Sequence, residues 1–242
     1  ATLPVGPLVL GAQAQGDMAR ARGLVDKRLD TLPWLSRLGE DQSVDAFFPV
    51  GGAWRSIAKL HMAEQGYPLK VIHHYAVEAE EAKALAFRLA QMDPATLAAD
   101  ATVSRRRAAT LPLAALTLGC AIERARPKRI VFSAFGLREG ALFDMLPAEV
   151  QSADPLLAIA ATVGSKESRG DRMGPALTAF TDPIFADDTP DQRRLRRAAC
   201  DLSDVGWRMH PDYRADLAFE RVLLAPVSGV DHAGRAFLAL AV

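Results

Sequence analysis

The feature that most constrains this chain is a change of pattern after Pro147. Before it, short apolar runs alternate with helical periodicities. After it, every pattern is helical and no β-branched alternating run occurs. An alternating half predicts an α/β layer, and a purely helical half predicts a bundle-like domain. The expected organisation is residues 1–147 as one α/β lobe and residues 148–242 as an all-α domain. The polar stretch from Glu149 to Asp154 reads as a linker.

In the first half, Pro4 to Leu10 reads as a strand and Gly16 to Leu35 as an amphipathic helix. "SVDAFFPV" reads as a strand closed by Gly51-Gly52, followed by a helix over "WRSIAKLHMAEQG" that ends at Gly66. "YPLKVIHHYAV" reads as a short strand or connector. "EAEEAKALAFRLAQM" reads as a helix stopped by Asp93-Pro94. Leu111 to Arg126 gives another helix, "KRIVFSAFG" a buried strand, and "LREGALFDML" the helix after it. "LPVGPLVLG" at the start reads as a strand already under way, and "RAFLALAV" at the end as a helix without a stop signal. Both predict a piece of a longer chain.

Lys plus Arg equals Asp plus Glu, 29 of each, so only local clusters can speak for a polyanionic partner. No eighteen-residue uncharged apolar run predicts a membrane span, and no basic leader precedes the first apolar run. Cys120 and Cys200 lie in apolar helical contexts and read as reduced core residues of a cytoplasmic protein.

Two strand-to-helix turns are candidate sites. In "FFPVGGAWRSIAKL", Gly51 and Gly52 allow either close approach of backbone to a ligand or a tight turn at positive φ. Arg55 sits in the first turn of the following helix, where the macrodipole disfavours a cation, so it wants another reason to be there. In "GLREG", Arg138 and Glu139 stand side by side in a first helical turn. The residues alone favour a structural pair, with Glu139 capping the helix. His73 and His74 lack metal-ligand spacing and read as one core and one surface histidine. Arg105, Arg106 and Arg107 form one basic run; Arg193, Arg194, Arg196 and Arg197 form another. The second is either a solvated face paired with nearby aspartates or a landing strip for phosphates. "LSDVGWRMHPDYR" holds Asp204, His210 and Asp212, but Ser203 stands where a metal phosphohydrolase would place a histidine.

Taken in order, "VGGAWRSIAKLHM", "YPLKVIHHY", "SAFGLREGALFD", "LSDVGWRMHPDYR" and "GVDHAGRAFLALA" resemble the exopolyphosphatase / guanosine pentaphosphate phosphohydrolase (Ppx/GppA) family over nearly the whole chain. The resemblance implies the C-terminal portion of such a protein: the second lobe of an actin-like, ribonuclease-H-like fold, followed by a helical HD-like domain. It implies release of terminal phosphate from inorganic polyphosphate or pppGpp, usually with Mg²⁺. The family's two phosphate loops and its catalytic Glu match nothing here, so the parent is expected to be an enzyme and this piece alone inactive, without catalytic or metal-binding residues of its own. By resemblance, Gly51, Gly52 and Arg55 border the phosphate cleft, and Arg138 and Glu139 brace it. Arg107, Arg193, Arg194 and Arg197 are the further candidates for gripping a polyanion. Of an HD-type metal site only Asp204 remains, with Met173 and Ser203 in place of histidines. The expected partners are polyphosphate or pppGpp, with no nucleic-acid polymer and no membrane. A homodimer and a non-catalytic polyphosphate- or nucleotide-sensing module are the other expectations.

Overall fold

A computed structural model describes residues 2–41, 44–167, 169–170 and 172–242. It divides into two compact units, Ala1–Gly140 and Ala141–Val242.

The first unit runs α1 (Pro7–Ala14), α2 (Met18–Leu29), α3 (Pro33–Asp41), β1 (Ala46–Phe47), α4 (Gly52–Glu64), β2 (Tyr75–Glu78), α5 (Ala79–Ala90), α6 (Pro94–Ala99), α7 (Arg105–Ala108), α8 (Leu111–Ala125) and β3 (Arg129–Phe132). Helix α9 (Leu137–Asp144) crosses the division. The sheet order is β1-β3-β2. Strand β1 pairs parallel with β3, Ala46 opposite Arg129. Strand β2 pairs antiparallel with β3, Tyr75 opposite Phe132 and Glu78 opposite Arg129. Helix α8 is apolar nearly all round, as a helix buried on both sides must be. One side packs with Ile57, Leu89, Ile130 and Phe132. The other packs with Leu10, Val25 and Leu35 from α1–α3. Gly119 on α8 has no room for a side chain, because an added Cβ would lie 2.7 Å from the Phe87 ring of α5.

Several expectations for this half are corrected. Pro4–Leu10 is not a strand: Pro7 opens α1, where its missing N–H costs nothing. Leu10 and Ala14, one turn apart, are the buried positions of that helix. The helix expected from Gly16 to Leu35 stops at Leu29, and Pro33 starts a second one. The strand in "SVDAFFPV" shrinks to two residues, and Ser43 lies outside the described residues. Asp93-Pro94 ends α5 but also begins α6, with the Asp93 carboxylate accepting from the Ala95 N–H at 3.1 Å. His73 and His74 sit in a turn rather than a strand, so their rings meet edge-on at 4.6 Å.

The second unit is all-α: the C-terminal part of α9, α10 (Ala148–Ser152), α11 (Pro155–Glu167), α12 (Met173–Thr181), α13 (Pro190–Leu202), α14 (Arg214–Leu224) and α15 (His232–Ala241). The stretch read as a linker is mostly α10. The division falls at Gly140/Ala141, seven residues before the expected boundary after Pro147. Leu156, Ala160, Ala198, Leu202 and Leu238 form the core. A Cβ added at Gly164 of α11 would collide with the backbone carbonyl of Asp201 on α13, so this crossing admits only glycine. Thr189 and Gln192 close a capping box at the start of α13. Cys120 and Cys200 are buried and unbridged. Among the described residues, no helix is long and apolar enough to cross a membrane.

Candidate functional site: a cationic groove in the first unit

Parallel neighbours end at the same edge of a sheet, so the turns after β1 and β3 open side by side. Gly51, at φ +151°, lets the chain leave β1 and enter α4. It caps α4 without a side-chain acceptor, so the first N–H groups of a thirteen-residue helix are left for another partner. Arg55, one turn in, donates from Nη1 to the Ala134 carbonyl at 2.8 Å and so ties the two turns together. Arg107 reaches the same place from α7 and donates to the Gly52 carbonyl. An added Cβ at Gly52 would lie 2.5 Å from Arg107 Nη2, so glycine there keeps room for that guanidinium.

Around these residues lies a pocket of about 370 Å³, lined by Arg55, Ser56, Lys59, Thr102, Ser104 and Arg107. A neighbouring pocket of about 600 Å³ shares Lys59 and Thr102 with it and adds Lys70, Tyr67 and Met62. Together they make a groove lined, among the described residues, by four cations and no carboxylate. Asp100, which is exposed, bonds to the lining residue Thr102, accepting from its N–H at 2.7 Å and from its hydroxyl at 2.6 Å. Those bonds hold the Asp100 carboxyl below its ordinary pKa.

Gly51, Gly52, Arg55 and Arg107 thus come together, although the two runs that hold them are some fifty residues apart in sequence. The turn after β3 lies against them. Glu139 accepts from the Gly136 N–H at 2.7 Å. The backbone N–H groups of Glu139 and Gly136 hold its carboxyl below the usual range, helped by the charges of Arg138 and Arg55. Arg138 itself is exposed. Sequence reading missed Lys59, Lys70, Thr102 and Ser104. Lys59 carried a usable signal, since it follows Arg55 by four residues and shares its helix face. The rest are brought in by folding.

Arg193, Arg194 and Arg197 lie on α13 in the second unit. They do not form one open stripe. Arg194 pairs with Asp154, Nη2 to Oδ1 at 2.9 Å, and donates to the Gly229 carbonyl at 2.7 Å. This guanidinium holds the Asp154 carboxyl below its ordinary pKa. Arg196 is buried between Asp182 and Asp188. Arg193 and Arg197 are exposed.

Asp204 is buried and bonded by Arg169, which donates from its backbone N–H at 2.9 Å and from Nη2 at 2.8 Å. The Arg169 side chain holds this carboxyl below its ordinary pKa. Among the described residues, no three His, Cys, Asp or Glu side chains group so as to hold a metal ion. The sign of the pH effect follows. A depressed folded-state pKa gives stability that is present above the unfolded carboxylate value, about 3.9, and lost as pH falls below it. The stability gap between the natural chain and Arg169→Gln is therefore expected to be full near neutral pH and to narrow as pH falls through that range. Urea titrations at several pH values check this; a gap independent of pH contradicts it.

The Ppx/GppA phosphatase family matches residues 12–149, and the family described as "Exopolyphosphatase, C-terminal" matches residues 158–242. The chain is 28% identical over 207 residues to Retrograde regulation protein 2 of Saccharomyces cerevisiae, covering 79% of this chain and 34% of the relative. It is similar to the crystal structure of the type II variant of the Aquifex aeolicus Ppx/GppA phosphatase, at 19% identity and a TM-score of 0.45, covering 60% of this chain and 49% of that one. A second Aquifex aeolicus structure of the family gives 18% identity and a TM-score of 0.43, covering 59% and 46%. The chain thus spans about a third of the yeast relative and about half of the Aquifex protein.

Proposed function

The chain belongs to the Ppx/GppA phosphatase family, and from that premise we propose that its first unit is the phosphate-binding lobe of an exopolyphosphatase-type hydrolase, acting on inorganic polyphosphate or a nucleotide such as pppGpp. One observation carries the reading: Arg55, Lys59, Lys70 and Arg107 line one groove in which, among the described residues, no carboxylate takes part, and the uncapped start of α4 lies one turn before Arg55. Guanidinium groups and helix N–H groups are the natural partners of phosphate oxygens. Arg55 and Arg107 are held in place by backbone carbonyls, so little ordering is needed when an anion arrives. Lys59 and Lys70 extend the charge along the chain of phosphates. Glu139 shapes the rim by locking the turn at Gly136, and Arg138 beside it supplies an outer charge. Arg193 and Arg197 are proposed as additional contacts for long polyanions.

The groove offers cations and hydroxyls but no general base. The proposed role is to grip and orient the phosphates, while attack by water is directed by groups beyond these residues. Mg²⁺, which the family resemblance implies, finds no matching ligand set among the described residues. The proposed fold for this unit is an actin-like lobe, and the proposed setting is the cytoplasm. A second reading, a regulatory module that senses polyphosphate or pppGpp without cleaving it, is favoured by the similarity to a protein named for regulation.

Calorimetric titration of the 242-residue chain with linear polyphosphate and with pppGpp tests the groove. Binding is expected in low salt, weakening as ionic strength screens the cations, with no phosphate released. Absence of binding to both anions refutes the groove, and phosphate release at an enzyme-like rate refutes the division of labour.

A further inference from the structure

The helical unit carries a second cavity, of about 330 Å³, walled by Leu156, Val163, Leu202, Val222, Val227 and Leu238. That is the small end of the range for ligand pockets. One lining residue breaks the pattern. Arg235, on α15, is only 2% exposed. Its Nη1 donates to the carbonyls of Leu223 at 3.0 Å and Ala225 at 2.5 Å, and its Nη2 to that of Val227 at 3.0 Å. Those bonds cap the end of α14 and place the side chain. They do not neutralise it. Among the described residues, the Nε–H has no hydrogen-bond partner and no carboxylate pairs with the guanidinium. Burial lowers its pKa from the ordinary value, yet an arginine keeps its proton.

The charge count is simple. Glu167 and Arg221 also line the cavity and pair with each other. Arg235 is left without a carboxylate partner among the described residues, its charge met only by the three carbonyls at the end of α14. A buried charge without a counter-ion is costly, and an apolar cavity does not hold the water that would relieve it. The complementary occupant has an apolar body and a single negative charge.

We propose that this cavity binds an amphiphilic monoanion, a medium-chain carboxylate, with its chain among the aliphatic side chains and its carboxylate at the Arg235 end. The site is independent of the phosphate groove, since all its residues lie in the second unit.

Octanoate, 1-octanol and octylammonium, titrated calorimetrically into the 242-residue chain, separate charge from apolar burial. Octanoate is expected to bind more tightly than about 1 mM. A charge-assisted contact makes octanol roughly tenfold weaker or worse, and octylammonium is expected not to bind. Arg235→Met is expected to abolish the preference for octanoate over octanol. Because that variant leaves three carbonyls bare, Val163→Trp serves as the second probe. It fills the cavity from a half-buried position on α11. It is expected to weaken octanoate at least tenfold with helical circular dichroism and polyphosphate binding retained. Equal affinity for octanoate and octanol, unchanged octanoate binding in Val163→Trp, or no octanoate binding by the folded chain each overturns the proposal.

Discussion

Lys59→Glu combined with Arg107→Glu is expected to weaken polyphosphate binding by about 100-fold in low salt. A charge-assisted hydrogen bond lost is worth roughly 1.5–3 kcal/mol, which applies to Arg107, while the exposed Lys59 contributes only about 1 kcal/mol. About 2.7 kcal/mol corresponds to that hundredfold change. Repulsion between the new carboxylates and the phosphates adds to the loss at low ionic strength and fades once the Debye length falls well below about 10 Å. Lys59 is exposed and, among the described residues, no hydrogen bond or ion pair of its side chain ties it to the fold, so its part of the loss is electrostatic. Arg107 also anchors the Gly52 carbonyl, so far-UV circular dichroism must accompany the titration. An unchanged dissociation constant in a folded double variant would remove the groove from consideration.

Phe132→Ala is expected to lower the stability of the first unit by roughly 3–5 kcal/mol, the usual cost of emptying a buried phenylalanine site. Phe132 is 1% exposed and packs beside Tyr75 from the neighbouring strand, ring centroids 6.3 Å apart. Tyr75 has little freedom to fill the gap. Its hydroxyl is tied to His61 Nδ1 at 2.7 Å, and burial pushes its pKa up to about 12. Small domains have only about 5–15 kcal/mol in total, so the variant is expected to melt well below the natural chain in a urea or thermal titration. A shift under 1 kcal/mol contradicts the core assignment of β3.

The long helices were legible because their signals are local. "EAEEAKALAFRLAQM" has acidic residues in its first turn and buries Ala82, Leu85, Ala86 and Leu89 on one face. The all-helical second half was legible for the same reason. What failed were short elements whose identity is set by neighbours. "PVGPLVL" suits a strand by composition, yet Pro7 and Gly6 allow a helix start and the α8 surface rewards one. The groove was half legible. Gly51, Gly52 and Arg55 sit in one contiguous motif, and Arg107 stood out in a basic run. That those two pieces meet, and that Lys70 and Ser104 join them, depends on how α4 and α7 fold back, which no spacing rule encodes. Arg194 misled for an electrostatic reason: its partner Asp154 lies forty residues upstream, beyond the helix-periodic neighbours that sequence can search.

The order β1-β3-β2 puts the last strand in sequence at the centre of the sheet. Among the described residues, β1 and β2 both take β3, residues 129–132, as their partner, and it is the last of the three to be synthesised. Joining Ala46 to Arg129 closes a long loop before any ladder bond rewards it, which slows folding. A nascent chain stalled before β3 would therefore hold β1 and β2 without the strand that joins them, a form in need of chaperone protection.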